Sequence, residues 1–311
     1  MTDKKPLISV IVPTYNSQAY IGRTLESVAS QTWRDFELIV SDDGSQDATL
    51  KEVEDVLSRF PGMTPTVLTN PHCGAGAARN AAIRKARGDW ISFLDSDDRW
   101  MPHKLEEVVK LFSRRGTDLV CHSEIWELGS QRQLLNYRSM WCSDSDPFLS
   151  LYRRNALSTS AVTVRKSLLF QAGLFDESLP AGQDFDLWLR LGQIKGMRFS
   201  FIDEPLGYYH TRSGNISSDP GRRLACLKRI SGKYDSYLSQ VVSFPFIEKL
   251  RFFGKTYVVT GRALIQRRAL FKGIWYILFG LMHWPFRMDW LIKTGRKHWK
   301  RIRKGVLREF T

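Results

Sequence analysis

A chain of 311 residues, 43% of them hydrophobic, is long enough to bury one large core or two ordinary ones. Its formal charge of +14 is unevenly spread: residues 221–311 hold 21 Lys and Arg against 4 Asp and Glu, a net +17, which leaves residues 1–220 at −3. A protein that works on nucleic acid more often carries its positive field over the working domain, so no nucleic-acid partner is expected. The four cysteines (Cys73, Cys121, Cys142, Cys226) form no C-x-x-C pair, and MTDKKPLISV has no long apolar signal region. They read as reduced thiols of a cytoplasmic protein. No internal repeat is visible, and no run of 18 apolar residues marks a spanning helix.

In chain order, LISVIV (Leu7 to Val12) is an apolar, β-branched strand that Pro13 is expected to stop. Ile21, Leu25 and Val28 then recur at helical spacing, and FELIV (Phe36 to Val40) is a second strand. A helix with Leu50, Val53, Val56 and Leu57 on one face follows, then a short strand TVL (Thr66 to Leu68) and an Ala-rich helix from about Gly76 to Ala86. Gly88 is expected to cap that helix before a fourth strand, WISFL (Trp90 to Leu94). Apolar strands separated by helices predict an α/β fold, with βαβ units around a mostly parallel sheet. Ligands of such sheets bind beyond the carboxyl ends of the strands, where three polar clusters fall.

The first cluster is PTYN, Pro13 to Asn16, in which Tyr15 is either a flat face for stacking on a ring or an ordinary packed tyrosine. In the second, SDDGSQD (Ser41 to Asp47), Gly44 permits a sharp turn and Ser45 can cap the next helix. Capping needs one aspartate of the three. Asp42, nearest the strand end, is then surplus and able to accept from a nucleobase N–H, unless turn chemistry takes it. The third cluster, HCGAGAARN (His72 to Asn80), combines two glycines, helix N-terminal amides that attract phosphate, and the fixed cation of Arg79. A tight turn before a packing helix is its other reading. Arg79 stands where a dinucleotide fingerprint needs its third glycine, which argues against NAD.

FLDSDDRW, Phe93 to Trp100, sets Asp95, Asp97 and Asp98 at the end of the fourth strand. Like charges so close raise one another's pKa unless a cation joins them, and hard oxygen donors suit Mg²⁺ or Mn²⁺ completed by phosphate and water. A solvated acidic turn capping the helix of Leu105, Val108, Val109 and Phe112 is the alternative. The preceding strand, Arg79 and Asp42 favour the metal.

The ordered motifs SVIVPTYNSQAYIGRTLESVASQTWRDFELIVSDDGSQD, GAGAARNAAIRKARGDWISFLDSDD and QDFDLWLRL resemble glycosyltransferase family 2, over about residues 7 to 217. The resemblance implies a GT-A fold and inverting transfer from a nucleotide sugar. By position it implies that the P-x-Y-N loop (Pro13, Tyr15, Asn16) and Asp42 hold the base, that Arg79 lies near the diphosphate, that Asp95 contacts ribose and that Asp97 binds Mn²⁺ or Mg²⁺. It also makes Asp184 the catalytic base, with Gln183 in place of the usual glutamate. By their residue types alone, Asp184 and Asp186 equally suit the N-terminus of a helix carrying Phe185, Leu187, Trp188, Leu189 and Leu191. The family often has an arginine followed by a histidine near the diphosphate or metal; here His210 precedes Arg212. His210 is therefore a candidate metal ligand or packs beside Tyr208 and Tyr209, and Arg212 is a candidate phosphate contact. Uridine is the family's commonest base, with thymidine and guanosine open.

From about residue 221 an apolar run, GIWYILFGLMHWPF (Gly273 to Phe286), precedes basic blocks such as GRKHWKRIRK (Gly295 to Lys304). About 14 residues cannot span a ~30 Å hydrocarbon core. Basic amphipathic helices carrying Trp suit anionic headgroups, and a helical subdomain with a solvated basic face is the other reading. The sequence thus predicts a catalytic domain over 1–220 and a basic helical region over 221–311, peripheral on the cytosolic face of a membrane. Its expected partners are a nucleotide-sugar donor, UDP-linked by family frequency, and a glycan or glycolipid acceptor of cell-surface polysaccharide or glycolipid synthesis. The rivals are a nucleotidyltransferase and a non-catalytic nucleotide- or polyanion-binding protein.

Overall fold

The computed structural model describes residues 8–63, 65–112, 116–142, 146–211 and 219–283. The chain first alternates strand and helix: β1 (Ile8–Thr14), α1 (Ile21–Ala29), β2 (Phe36–Asp42), α2 (Thr49–Ser58), β3 (Thr66–Thr69), α3 (Ala75–Lys85) and β4 (Trp90–Phe93). Then come β5 (Arg99–Trp100), α4 (Lys104–Phe112), β6 (Leu119–Leu128), β7 (Gln131–Leu135), α5 (Pro147–Arg153), β8 (Val162–Arg165), α6 (Lys166–Gln171), α7 (Gln183–Gly192) and β9 (Phe199–His210). Four helices follow: α8 (Pro220–Lys233), α9 (Asp235–Val241), α10 (Pro245–Gln266) and α11 (Leu270–Met282).

Among the described residues nine strands make one sheet, ordered β3-β2-β1-β4-β8-β6-β9-β5, with β7 on β6. The βαβ half is parallel, from β3 through β2 and β1 to β4. β8 runs antiparallel to both β4 and β6, and β9 returns parallel to β6. Every residue of β1 is buried, as expected for a strand covered by helices on both faces. One face packs Val10, Val12, Leu38 and Val40 against Ile21, Leu25 and Val28 of α1 and Val53 and Val56 of α2. Small residues of α3, Ala78 and Ala82, are also fully buried, so that helix can lie close.

Two local expectations fail for physical reasons. Pro13 does not stop β1, which continues to Thr14. Pairing with β4 ends at Ile11, and Pro13 pairs on its other side with Ser41, so its missing N–H falls on the open side. Gly88 does not cap α3 either. Ala86 ends the helix in an extended conformation (φ −59°, ψ 135°), and the Gly88 N–H instead donates to Ser9 Oγ at 2.9 Å.

The chain forms two compact units, Met1–Cys226 and Leu227–Thr311, so the division falls inside α8. In the second unit α10 and α11 meet through glycines. A Cβ on Gly261 would come within 2.5 Å of the Gly273 carbonyl oxygen, and one on Gly280 within 2.7 Å of the Gly254 oxygen.

Candidate active site

Register brings the first two loops side by side, since Thr14 lies opposite Asp42. The Asn16 N–H donates to Ser45 Oγ at 2.9 Å, and Asn16 Oδ1 accepts from the Gln46 N–H at 2.8 Å. Asn16 thus fastens loop to loop, while Pro13 is buried in the strand. Asp42 takes the turn-chemistry alternative. It is fully buried, and its carboxylate accepts from the N–H groups of Gly44 (3.1 Å) and Ser45 (2.9 Å) and from the Ser45 hydroxyl (2.5 Å). The carboxylate at the strand end is the one the turn can reach, so Asp42 is the turn's own acceptor rather than a surplus group.

Asp43 is the acid of that cluster that reaches across to the third loop. It accepts from the N–H groups of Cys73 and Gly74 at 2.9 and 3.0 Å and pairs with His72 Nδ1 at 2.8 Å. Tyr15, 38% exposed, stacks on the His72 ring with centroids 4.1 Å apart and planes at 18°. Tyr15 and His72 thus form a pair of rings backed by a carboxylate. Sequence reasoning assigned roles to neither His72 nor Asp43; a histidine two residues before the first glycine of the phosphate-type loop was the available signal.

Arg79 projects from α3 and its Nη2 donates to Asp95 Oδ1 at 2.5 Å. Its guanidinium lies 5.4 Å from the Phe175 ring, and its buried Nε has no protein partner. The acidic turn is held from both sides. Ser17 Oγ is 2.8 Å from Ser96 Oγ, and the Thr24 hydroxyl donates to the carbonyls of Ser96 and Asp98 at 2.9 and 2.7 Å. Asp98 is an internal strut: it accepts from the Ser160 hydroxyl at 2.5 Å and from the His210 N–H at 2.8 Å. Burial, then the charges of Asp97, Glu124 and Asp95, push its carboxyl well above the usual range. Asp95 and Asp97 keep partial exposure at the rim.

The backbone bond to Asp98 brings His210 beside the acidic turn, with its ring 5.8 Å from that of Tyr20. Among the described residues no three His, Cys, Asp or Glu side chains are gathered to hold a cation by themselves. Arg212 lies outside the described residues.

At the start of α7 the two aspartates part company. Positions two apart on a helix are about 200° apart, hence on opposite faces. Asp186 is fully buried and accepts from Arg190 Nε at 3.0 Å, while Asp184 stays half-exposed and accepts from the Thr159 hydroxyl at 3.3 Å. Gln183 packs against Gly76 at the start of α3, and its Nε2 donates to the Leu179 carbonyl at 2.6 Å. An ionised glutamate has no hydrogen for that bond, which gives glutamine in place of the usual glutamate a local reason.

Behind the rim lies a buried ionisable group that no motif announced. Lys104 is fully buried; its Nζ donates to the hydroxyls of Ser92 and Thr163 and sits 3.7 Å from the Trp100 ring centroid. Burial pushes its ammonium pKa well down. Glu124 accepts from the Tyr137 hydroxyl at 2.7 Å, and burial raises its carboxyl to about 7. Burial lowers the His122 imidazole to about 3.

The sequence profile described as "Glycosyl transferase family 2" matches residues 9–166, about half of the chain. The amylovoran biosynthesis glycosyltransferase AmsB of Erwinia amylovora is 29% identical over 218 residues, 67% of this chain and 71% of that protein. Against several other curated relatives the match spans 27% to 61% of their own length. Among solved structures, S. aureus TarS 1–349 in complex with UDP-GlcNAc superposes with a TM-score of 0.59 at 21% identity, covering 88% of each chain. The mannosyltransferase PcManGT from Pyrobaculum calidifontis, in complex with GDP-Man and Mn²⁺, gives 0.62 at 19% identity over 95% of this chain and 81% of that one. These likenesses establish the GT-A fold.

Proposed function

The chain belongs to glycosyltransferase family 2 and is a glycosyltransferase, and from that premise we propose that it moves a sugar from a nucleoside diphosphate donor to an acceptor hydroxyl with inversion. Cell-surface polysaccharide or glycolipid synthesis is the setting we propose, in keeping with relatives such as AmsB. The observation that carries the reading is the pair Thr159 and Ser160. Their adjacent hydroxyls bond Asp184 and Asp98 respectively, which puts a half-exposed carboxylate next to the acidic turn.

In this proposal the nucleobase, uridine by family frequency, meets Tyr15, His72 and Asp43, and Arg79 orients Asp95 toward the ribose. Asp97 is a hard oxygen donor on the acidic turn, which fits Mg²⁺ or Mn²⁺ held by one or two carboxylates with the diphosphate and water completing the shell. His210, anchored beside Asp98, is a further candidate ligand. A bound cation would supply charge stabilisation for the departing diphosphate. Asp184 takes the proton of the acceptor hydroxyl as the new C1–O bond forms and the bond from C1 to the phosphate oxygen breaks, in a single displacement. Residues 1–220 make up the proposed catalytic domain, and the basic helical part from 221 associates with an anionic membrane on its cytosolic face.

The test is a screen of nucleotide sugars for metal-dependent release of nucleoside diphosphate, repeated with Asp184→Asn and Asp97→Ala. Asp184→Asn should bind donor but not turn over, and Asp97→Ala should lose Mn²⁺-dependent donor binding. Wild-type turnover by Asp184→Asn would reject the base assignment. Release of pyrophosphate would show a nucleotidyltransferase instead, and donor binding without any turnover a non-catalytic protein.

A further inference from the structure

We propose that the outward face of α11 is the surface by which this protein rests on an anionic phospholipid bilayer, at headgroup depth. The proposal rests on the membrane association put forward above and assigns it to one face. Lys272 is the helix's single charged residue. Its inner face is closed, because Gly273 and Gly280 bring its backbone against that of Gly261 and Gly254 in α10. The other side carries Leu270, Phe271, Ile274, Trp275, Leu278 and Met282. Their spacing of one, three, one, three and four residues keeps them on one stripe of a 3.6-residue helix. Phe271 is 92% exposed and Met282 78%, and the other four are about half exposed.

Charge selects the partner. Residues 245–283 contain seven Lys and Arg and a single acid, Glu248, and residues 284–311 add a further net +7 in the sequence. Arg267, Arg268 and Lys272 are exposed around the turn between α10 and α11. A second copy of this face would set cation against cation, whereas anionic headgroups accept the cations while the apolar stripe enters the acyl boundary. Trp275, within the stripe, is a residue type that favours that boundary. Thirteen helical residues rise about 20 Å, short of a ~30 Å core. Among the described residues no helix is long and apolar enough to cross a membrane, so the helix would lie in the interface plane.

Flotation of the full chain with phosphatidylcholine vesicles, with and without phosphatidylglycerol, tests this. Wild type should float only with the anionic vesicles, and the variant Phe271→Ser/Trp275→Ser/Leu278→Ser should bind more than about tenfold more weakly, since it removes three of the apolar side chains that enter the acyl boundary. An environment-sensitive dye on Phe271→Cys, in a Cys73→Ser/Cys142→Ser background, should shift to the blue only when anionic vesicles are added. This reports on the face even if the triple variant folds poorly. Wild type and triple variant floating equally, with no dye shift, would overturn this face and leave membrane association to other residues. Failure of wild type to float would overturn both. A dye already shielded without vesicles would show the face covered by the chain itself or by a second copy, and would also overturn the proposal.

Discussion

The Ser160 hydroxyl donates to Asp98 at 2.5 Å, and its neighbour Thr159 donates to Asp184 at 3.3 Å, so one short turn spans the acidic motif after β4 and the start of α7. The Asp95 N–H also donates to Ser160 Oγ, at 3.1 Å. Ser160→Ala leaves the buried Asp98 carboxyl with one acceptor bond fewer and should cost about 1–3 kcal/mol of stability. Because the same hydroxyl holds the Asp95 end of the turn that carries the proposed metal ligand Asp97, the variant should also need more Mn²⁺ for half-maximal turnover. Unchanged melting and an unchanged metal titration would refute this role.

Asp184 and Asp186 should separate cleanly in experiment. Asp186→Ala strands Arg190 and should destabilise the fold by about 3 kcal/mol, read as a lower urea midpoint. Asp184→Asn should leave the midpoint within about 0.5 kcal/mol of wild type, as for surface changes, while removing turnover. If Asp184→Asn proved the more destabilising of the two, the assignment of one inward and one rim carboxylate would be wrong.

The Tyr15–His72 stack predicts a binding effect without a chemical one. His72→Ala removes one ring, and aromatic pairs are worth about 0.5–1.5 kcal/mol, so KM for the donor should rise by roughly twofold to tenfold with kcat little changed. Steady-state kinetics at saturating acceptor read both constants. A fall in kcat at constant KM would place His72 in the chemical step instead.

Glu124 and His122 predict opposed pH dependences. Folded Glu124 keeps its proton up to about 7 whereas the unfolded chain releases it near 4.5, so its contribution to stability is lost as pH rises through that window. Folded His122 stays neutral down to about 3 whereas the unfolded chain takes up a proton near 6.5, so its contribution is lost as pH falls. Between 4.5 and 6.5 the two slopes oppose each other. Glu124→Gln removes the first, and its stability should then climb with pH across 4.5 to 6.5 more steeply than that of wild type. Thermal melts at pH 4.5, 5.5 and 6.5 measure the slope; parallel curves for the two proteins would contradict the buried acid's role.

The sequence by itself determined the βαβ order, the α/β class and the position of each polar cluster at a strand's carboxyl end, because apolar periodicity and glycine placement act over a few residues. FELIV and WISFL show it: each lies in the strand expected, within two residues at its end. It could not decide which carboxylate of a pair does what. Asp42 and Asp43, or Asp184 and Asp186, are nearly interchangeable as letters, and which one turns inward depends on donors 30 or more residues away, such as Cys73, or on helix facing. The same is true of Lys104, whose hydroxyl partners Ser92 and Thr163 meet it only when β4 and β8 pair, and of Thr159 and Ser160, which carry no motif at all. Burial, and with it the shift in proton affinity, is a property of the closed sheet, so only the tertiary structure turned a row of acids into a strut, a turn acceptor and an exposed rim.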